Sequence, residues 1–221
     1  HQTLRAALEW SLDLLEEPER LLFSRLAAFA PGLTTEAVVG VCRGLPGADK
    51  DLASGLRRLA RASLLIPSSD LPERWSMLES VRELARIELE AVDETDVVAK
   101  RHRDWYASHV EEVEPFLGRT GRADVMRDLA ADHDNIRRGI DTATADNDAV
   151  GLRLCTAMSP FWTSHGDWTE GSERLRGALR LQGDDDSIRG RAMTALGSLT
   201  LLRGDLATAE KLFEEGRKRA I

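Results

Sequence analysis

RAMTALGSLTLLRGDLATAEKLFEEGRKRA, residues 191 to 220, reads as a helix, a turn and a second helix. Leu196 and Gly197 stand together in the first helix, where a residue without a side chain lets another helix come close. Gly204 suits the left-handed end of that helix, and the Asp205 carboxylate can cap the next one. Small and large apolar residues then follow in the second helix as Ala209, Leu212 and Phe213. A hairpin of this kind cannot bury both faces by itself, so it calls for stacked neighbours.

A second copy lies upstream. Residues 152 to 181, LRLCTAMSPFWTSHGDWTEGSERLRGALRL, put Gly166 and Asp167 where the first copy has Gly204 and Asp205. Trp162 fills the slot of Thr200, Gly171 that of Ala209, and Leu175 that of Phe213. Asp167 followed by Glu170 has the spacing of a capping box. Residues 183 to 187 absorb the excess length as a loop. Pro160, which has no backbone N–H to give, is expected to kink the first helix or mark its boundary. The two copies resemble tetratricopeptide repeats, although Thr200 and Gly216 stand where that family has an aromatic residue and an alanine.

The 221 residues, 42% of them hydrophobic, suffice for one large core or two smaller ones, and the dominant 3.6-residue period gives a mainly α class. A formal charge of −8 argues against a chain that coats nucleic acid or an anionic membrane through bulk electrostatics. Cys42 and Cys155, far apart on apolar stretches, read as buried thiols in a reducing cytoplasm. The longest uncharged stretch, residues 154 to 166, is too short to span a bilayer, so neither a membrane nor a secretory signal is expected. The start at His1 and the end inside a repeat without a polar cap are the marks of a piece of a longer polypeptide.

Before the repeats, a helix is expected over residues 3 to 15 and another from Glu17-Pro18 to Pro31-Gly32. A third should run from Thr34 or Thr35 to Cys42 and a fourth from Asp51 to Ser63. Leu64 to Pro67 and Arg74 to Leu78 are the strand candidates, joined by the turn-rich residues 68 to 72. Helices followed by a two-stranded hairpin is the order of a winged-helix domain. Further helices are expected over 79 to 92, over 97 to 117 as a long amphipathic helix carrying Val98, Trp105, Val113 and Phe116, and over 125 to 143. The fold class is therefore mainly α: a winged helix with a small two-stranded wing over residues 1–78, a helical linker over 79–147, and two repeats over 148–221.

No GxxxxGK[ST] loop is present, and Gly44-Leu45-Pro46-Gly47 reads as a turn. His102 and His109 lie two helical turns apart, and no carboxylate or cysteine cluster completes a metal set around them. His133 reads as a core histidine with satisfied partners. No serine, histidine and acid form a nucleophilic pattern, and the pairs Glu111-Glu112 and Glu214-Glu215 read as solvated faces. No catalytic or metal site is expected, and the chain is read as a non-enzyme.

Three phrases resemble the region that follows the ATPase core in STAND-class signalling ATPases of the LuxR and SARP regulator types. They are HQTLRAALEWSLDLL at 1 to 15, WSMLESVRELA at 75 to 85, and DHDNIRRGI at 132 to 140. The resemblance implies a cytoplasmic regulatory arm whose repeats read a protein, peptide or ligand signal and pass it to a neighbouring NTPase domain in cis. No cofactor is then expected within this chain, ATP or ADP being bound upstream. Many relatives carry Met-His-Asp at the end of the wing, beside the nucleotide. The matching residues are Met77, Leu78 and Glu79, and leucine has no donor for a phosphate.

Arg57, Arg58 and Arg61 on the helix before the wing could face either the adjoining domain or DNA, the second being the alternative reading. Carried over from the repeat family, the groove positions are Arg153, Thr156 and Thr163 in one copy and Arg191, Thr194 and Ser198 in the other. Two arginines there suit a carboxylate-bearing peptide. The alternative is that these positions are only solvated.

Overall fold

The computed structural model describes residues 10–48, 51–68, 73–117, 122–183 and 185–219, so residues 3 to 9 of the expected first helix and 69 to 72 of the expected turn lie outside the described residues. The chain divides into two compact units, the first ending at Trp105 and the second beginning at Tyr106.

In the first unit, α1 (Glu17–Arg25) starts where the Glu16 N–H donates to the Glu19 carboxylate at 3.0 Å, with Pro18 in the first turn, where a missing N–H costs nothing. A short 3-10 turn, Leu26–Ala28, follows. Then come β1 (Leu33–Thr34), α2 (Thr35–Cys42), α3 (Leu52–Arg61), β2 (Ile66–Pro67), β3 (Arg74–Ser76) and α4 (Glu79–Ala91). The sheet has three antiparallel strands in the order β1-β3-β2, with Leu33 opposite Trp75 and Ile66 opposite Ser76. The expected two-stranded wing is thus corrected to a three-stranded sheet. β1 is only two residues long, too short to show a period of two. Thr34 ends the strand and also caps α2, its hydroxyl accepting from the Ala37 N–H at 3.0 Å.

The core of this unit is Leu22, Phe23, Leu26, Phe29, Leu33, Val38, Val41, Leu56, Leu59, Val81 and Leu89, all buried. Arg25 lies among them with its side chain 1% exposed. Its guanidinium donates to both oxygens of Glu94 at 2.6 and 2.8 Å and to the Pro46 carbonyl at 2.6 Å. One cation therefore joins α1, the Gly44–Gly47 turn and the segment after α4, and it is tolerated in the interior because its donors are occupied. Gly44 and Gly47 both have positive φ, as a tight turn demands.

α5 (Thr95–Val113) spans the boundary between the units. Val98, His102, Tyr106 and Val110 form its buried stripe at four-residue spacing. Of the apolar residues expected along this helix, Val98 is buried and Trp105 packs against Gly40, whereas Phe116, in the 3-10 turn Glu114–Phe116, is 49% exposed. His102 meets the Phe29 ring edge-on at 4.9 Å and is a packing residue.

The second unit continues with α6 (Ala123–Ala145), α7 (Val150–His165), α8 (Trp168–Ala178), α9 (Asp186–Leu202) and α10 (Leu206–Arg219). α7 with α8 and α9 with α10 are helical hairpins, closed by Gly166 at φ 96° and Gly204 at φ 90°. The Asp205 side chain accepts from the Thr208 N–H at 3.0 Å, the cap its position predicts. The capping box expected at Asp167 and Glu170 does not form. The Asp167 carboxylate is held by the His165 ring at 2.9 Å, and Glu170 is held by Arg137. Pro160 neither ends nor borders α7, which runs through it.

Missing side chains let the helices approach both within a hairpin, at Gly197 against Phe213, and between the hairpins, at Gly171 against Leu199. A Cβ on Gly197 would lie 2.8 Å from the Phe213 ring, and one on Gly171 would lie 2.9 Å from both Leu199 and Trp162. Trp162, Phe161, Met158, Cys155, Leu175 and Leu199 fill the centre. On the far side, Leu201, Leu202 and Leu206 stay 45%, 43% and 68% exposed. Among the described residues, no helix is long and apolar enough to cross a membrane.

Candidate functional site

On α3, burial of Leu52, Leu56 and Leu59 turns the arginines outward. Arg57 and Arg61 are exposed, while Arg58 is half-buried and donates to Glu19 of α1. The Arg57 guanidinium also donates to the Ser54 hydroxyl at 2.7 Å. A cavity of about 580 Å³ beside α3 is lined by Trp10, Leu14, Leu15, Glu19, Arg58 and Arg61. The three arginines thus share a helix but not a state, since one of them is already bound to a carboxylate.

The residues at the end of the sheet diverge. Met77 is buried, Leu78 is 56% exposed, and Glu79 opens α4 with its carboxylate 3.2 Å from Arg82. Only Leu78 and Glu79 face solvent, and neither is a phosphate donor.

In the second unit, Arg153, Thr156 and Arg191 line one cavity of about 260 Å³ together with Glu111, Glu114, Ala157 and Ile188. Thr163, Thr194 and Ser198 are not part of that lining, and their hydroxyls donate to the carbonyls of Ser159, Gly190 and Thr194 in their own helices. Thr156 does the same, to Leu152 at 2.6 Å. Both groove arginines are already engaged. Arg153 donates to the two oxygens of Glu111 at 2.8 and 2.5 Å, and Arg191 donates to Glu114 at 2.6 Å. Both expected groove arginines thus line the cavity, each paired with a carboxylate of the chain's own. Pairing across 42 and 77 residues leaves no local signal, and Glu111 reads as a solvated residue until α5 is folded against α7.

A third cluster surrounds His133. The Trp162 indole N–H donates to His133 Nε2 at 3.4 Å, which leaves the proton of the neutral ring on Nδ1. Phe161 stands edge-on to the ring at 5.2 Å and stacks on His165 at 5.0 Å. Burial pushes the His133 pKa down, and the Arg137 cation adds to that, against the nearby Glu170, Asp167 and Asp134 carboxylates. Glu170 is held below the usual carboxylate range chiefly by its hydrogen bonds from Arg137. His133 is therefore a partnered neutral histidine at the junction of α6, α7 and α8, and its charged neighbours include Glu170 from a different helix.

Burial raises both thiols, Cys42 and Cys155, to about 12, so neither is a nucleophile at neutral pH. Among the described residues, no group of three or more His, Cys, Asp and Glu is placed to hold a metal ion. The arrangement consists of ion-paired side chains on helical scaffolds.

The chain is 31% identical over 172 residues to a protein of Mycobacterium tuberculosis strain H37Rv provisionally named an HTH-type transcriptional regulator, a match that covers 77% of this chain and 19% of the relative. A Mycobacterium bovis protein with the same provisional name matches to the same extent. An uncharacterised M. tuberculosis protein is 33% identical over 109 residues, covering 46% of this chain and 26% of its own length. The chain spans about a fifth of the length of the regulators it matches. No family model matches it, and no solved structure does.

Proposed function

We propose that this chain is the regulatory and protein-interaction part of a STAND-type transcriptional regulator. In this reading residues 1–78 form a winged helix, 79–147 a helical linker, and 148–221 two tetratricopeptide-like repeats. A protein or peptide bound on the repeats alters the state of a neighbouring NTPase domain in cis, where the ATP or ADP resides, and this chain performs no catalysis. The observation that carries the reading is the succession within one chain: helix, strand, helix, helix and two strands in sheet order β1-β3-β2, followed by glycine-closed helical hairpins. The similarity of most of the chain to two regulators by name supports the same reading.

The test uses the gene product that contains these residues. It should carry a phosphate-binding lysine loop upstream, and deletion of residues 148–221 should change its rate of nucleotide exchange. An unchanged rate, or the absence of such a loop, would overturn the proposal.

Exposed Arg57 and Arg61 favour a second reading, in which α3 contacts DNA. A gel shift would then weaken steeply with salt and be lost in Arg57→Ala/Arg61→Ala. Salt-independent retention, or none at all, removes it.

A further inference from the structure

Arg153 and Arg191 stand on the first helices of successive hairpins, and two carboxylates from a single short stretch, Glu111 and Glu114, sit on them. The four side chains are part-exposed, at 43% and 55% for the arginines and 32% and 25% for the glutamates. Ion pairs with this much water access are weak and exchange readily. Ala157 and Ile188 supply apolar wall between them. The segment thus presents to the groove what an acidic peptide would present: two carboxylates a helical turn apart, each able to take up a guanidinium.

We propose that the groove formed by Arg153, Arg191 and Ile188 binds a peptide carrying carboxylates three or four residues apart, and that Glu111 and Glu114 occupy it as an internal stand-in that such a peptide displaces. The occupant is a peptide and not a nucleic acid because the segment now seated there is itself peptide, and a competitor of the same geometry can reproduce each contact. Binding frees the end of α5 from the groove, which gives the partner a way to be felt beyond its own contacts. This rests on reading the hairpins as the partner-binding part. Because the assay below needs no nucleotide, it can fail while nucleotide coupling stands, and the reverse.

The probe is a fluorescein-labelled decaglutamate peptide, followed by anisotropy with the whole chain. Removing the stand-in charge in Glu111→Gln/Glu114→Gln should tighten binding about tenfold, as expected for the loss of two exposed ion pairs that compete with the ligand. Adding Arg153→Ala/Arg191→Ala should abolish that gain. Equal affinity of the parent and the glutamine variant overturns the proposal, as does a gain that survives loss of the arginines. A decathymidylate that binds the glutamine variant as tightly as decaglutamate overturns it too. Should the glutamine variant fold poorly, hydrogen exchange on the parent decides: saturating decaglutamate should speed exchange of amides 109 to 116, and unchanged protection there overturns the displacement.

Discussion

Glycines 197 and 177 look alike in the sequence, since both lie in helices and both lack the cost of a positive φ. Their surroundings differ. A Cβ at 197 would meet the Phe213 ring at 2.8 Å, whereas one at 177 would meet nothing within 4 Å. Gly197→Val should therefore destabilise the chain by about 1–3 kcal/mol through overpacking, while Gly177→Ala should stabilise it by about 0.5–1 kcal/mol by limiting the unfolded chain. Urea melts of the two variants check both signs. The close approach at Gly197 was legible because glycine beside leucine, ahead of a small and large alternation, implies a helix crossing. The partners of His133 were not. Its own flanking aspartates suggest a raised pKa, but burial and Arg137 win and lower it. With the folded value below the unfolded one, the unfolded chain takes up the proton first. The neutral ring's contribution is complete above about pH 6.5 and is lost as pH falls from there through the lowered folded value. The thermal midpoint should fall between about pH 7 and pH 5, and His133→Gln should flatten that part of the profile.

Between elements, the first unit turns on a charge that no periodicity announces. Arg25 follows a run of apolar residues and would pass for the polar end of α1, yet it is buried and tied to Glu94 and Pro46. Glu94→Ala leaves that guanidinium in the interior without its carboxylate and should cost about 3–5 kcal/mol, the usual penalty for breaking a buried pair from one side. Arg20→Ala, which removes a surface partner of Glu88 with its own side chain 47% exposed, should cost about 0–1 kcal/mol. Equal losses in chemical denaturation would refute the distinction. Helix positions were readable where α3, α4 and α6 each bury a single stripe, and for these three the observed bounds differ from the expected ones by one or two residues, whereas α1 ends at Arg25, well short of the expected Pro31-Gly32. What escaped were β1, too short for a pattern, and the inward face of α5, where Tyr106 and His102 are buried while Phe116 lies exposed and Trp105 packs against Gly40 of α2. Aromatic residues on both sides of one helix leave the choice of face to the neighbours.

At the scale of the molecule, the legible part is the order of helices and hairpins, and the illegible part is where charge meets charge. Ion pairs such as Arg153 with Glu111 connect positions too distant in the chain for spacing to predict. The formal charge of −8 acts everywhere at once, and it opposes contact between copies when little salt is present. Leu201, Leu202 and Leu206, exposed beside the Phe213 side of α10, pull the other way. In about 1 M salt, with a screening length near 3 Å, that repulsion is gone and the apolar patch remains. Static light scattering should then give a second virial coefficient that passes from positive to negative as salt is raised, and Leu206→Glu should keep it positive. A coefficient that stays positive in the unaltered chain would show the patch to be inert. A coefficient that does change sign would mean that concentration and ionic strength, and not only a specific partner, set the number of particles in the tube.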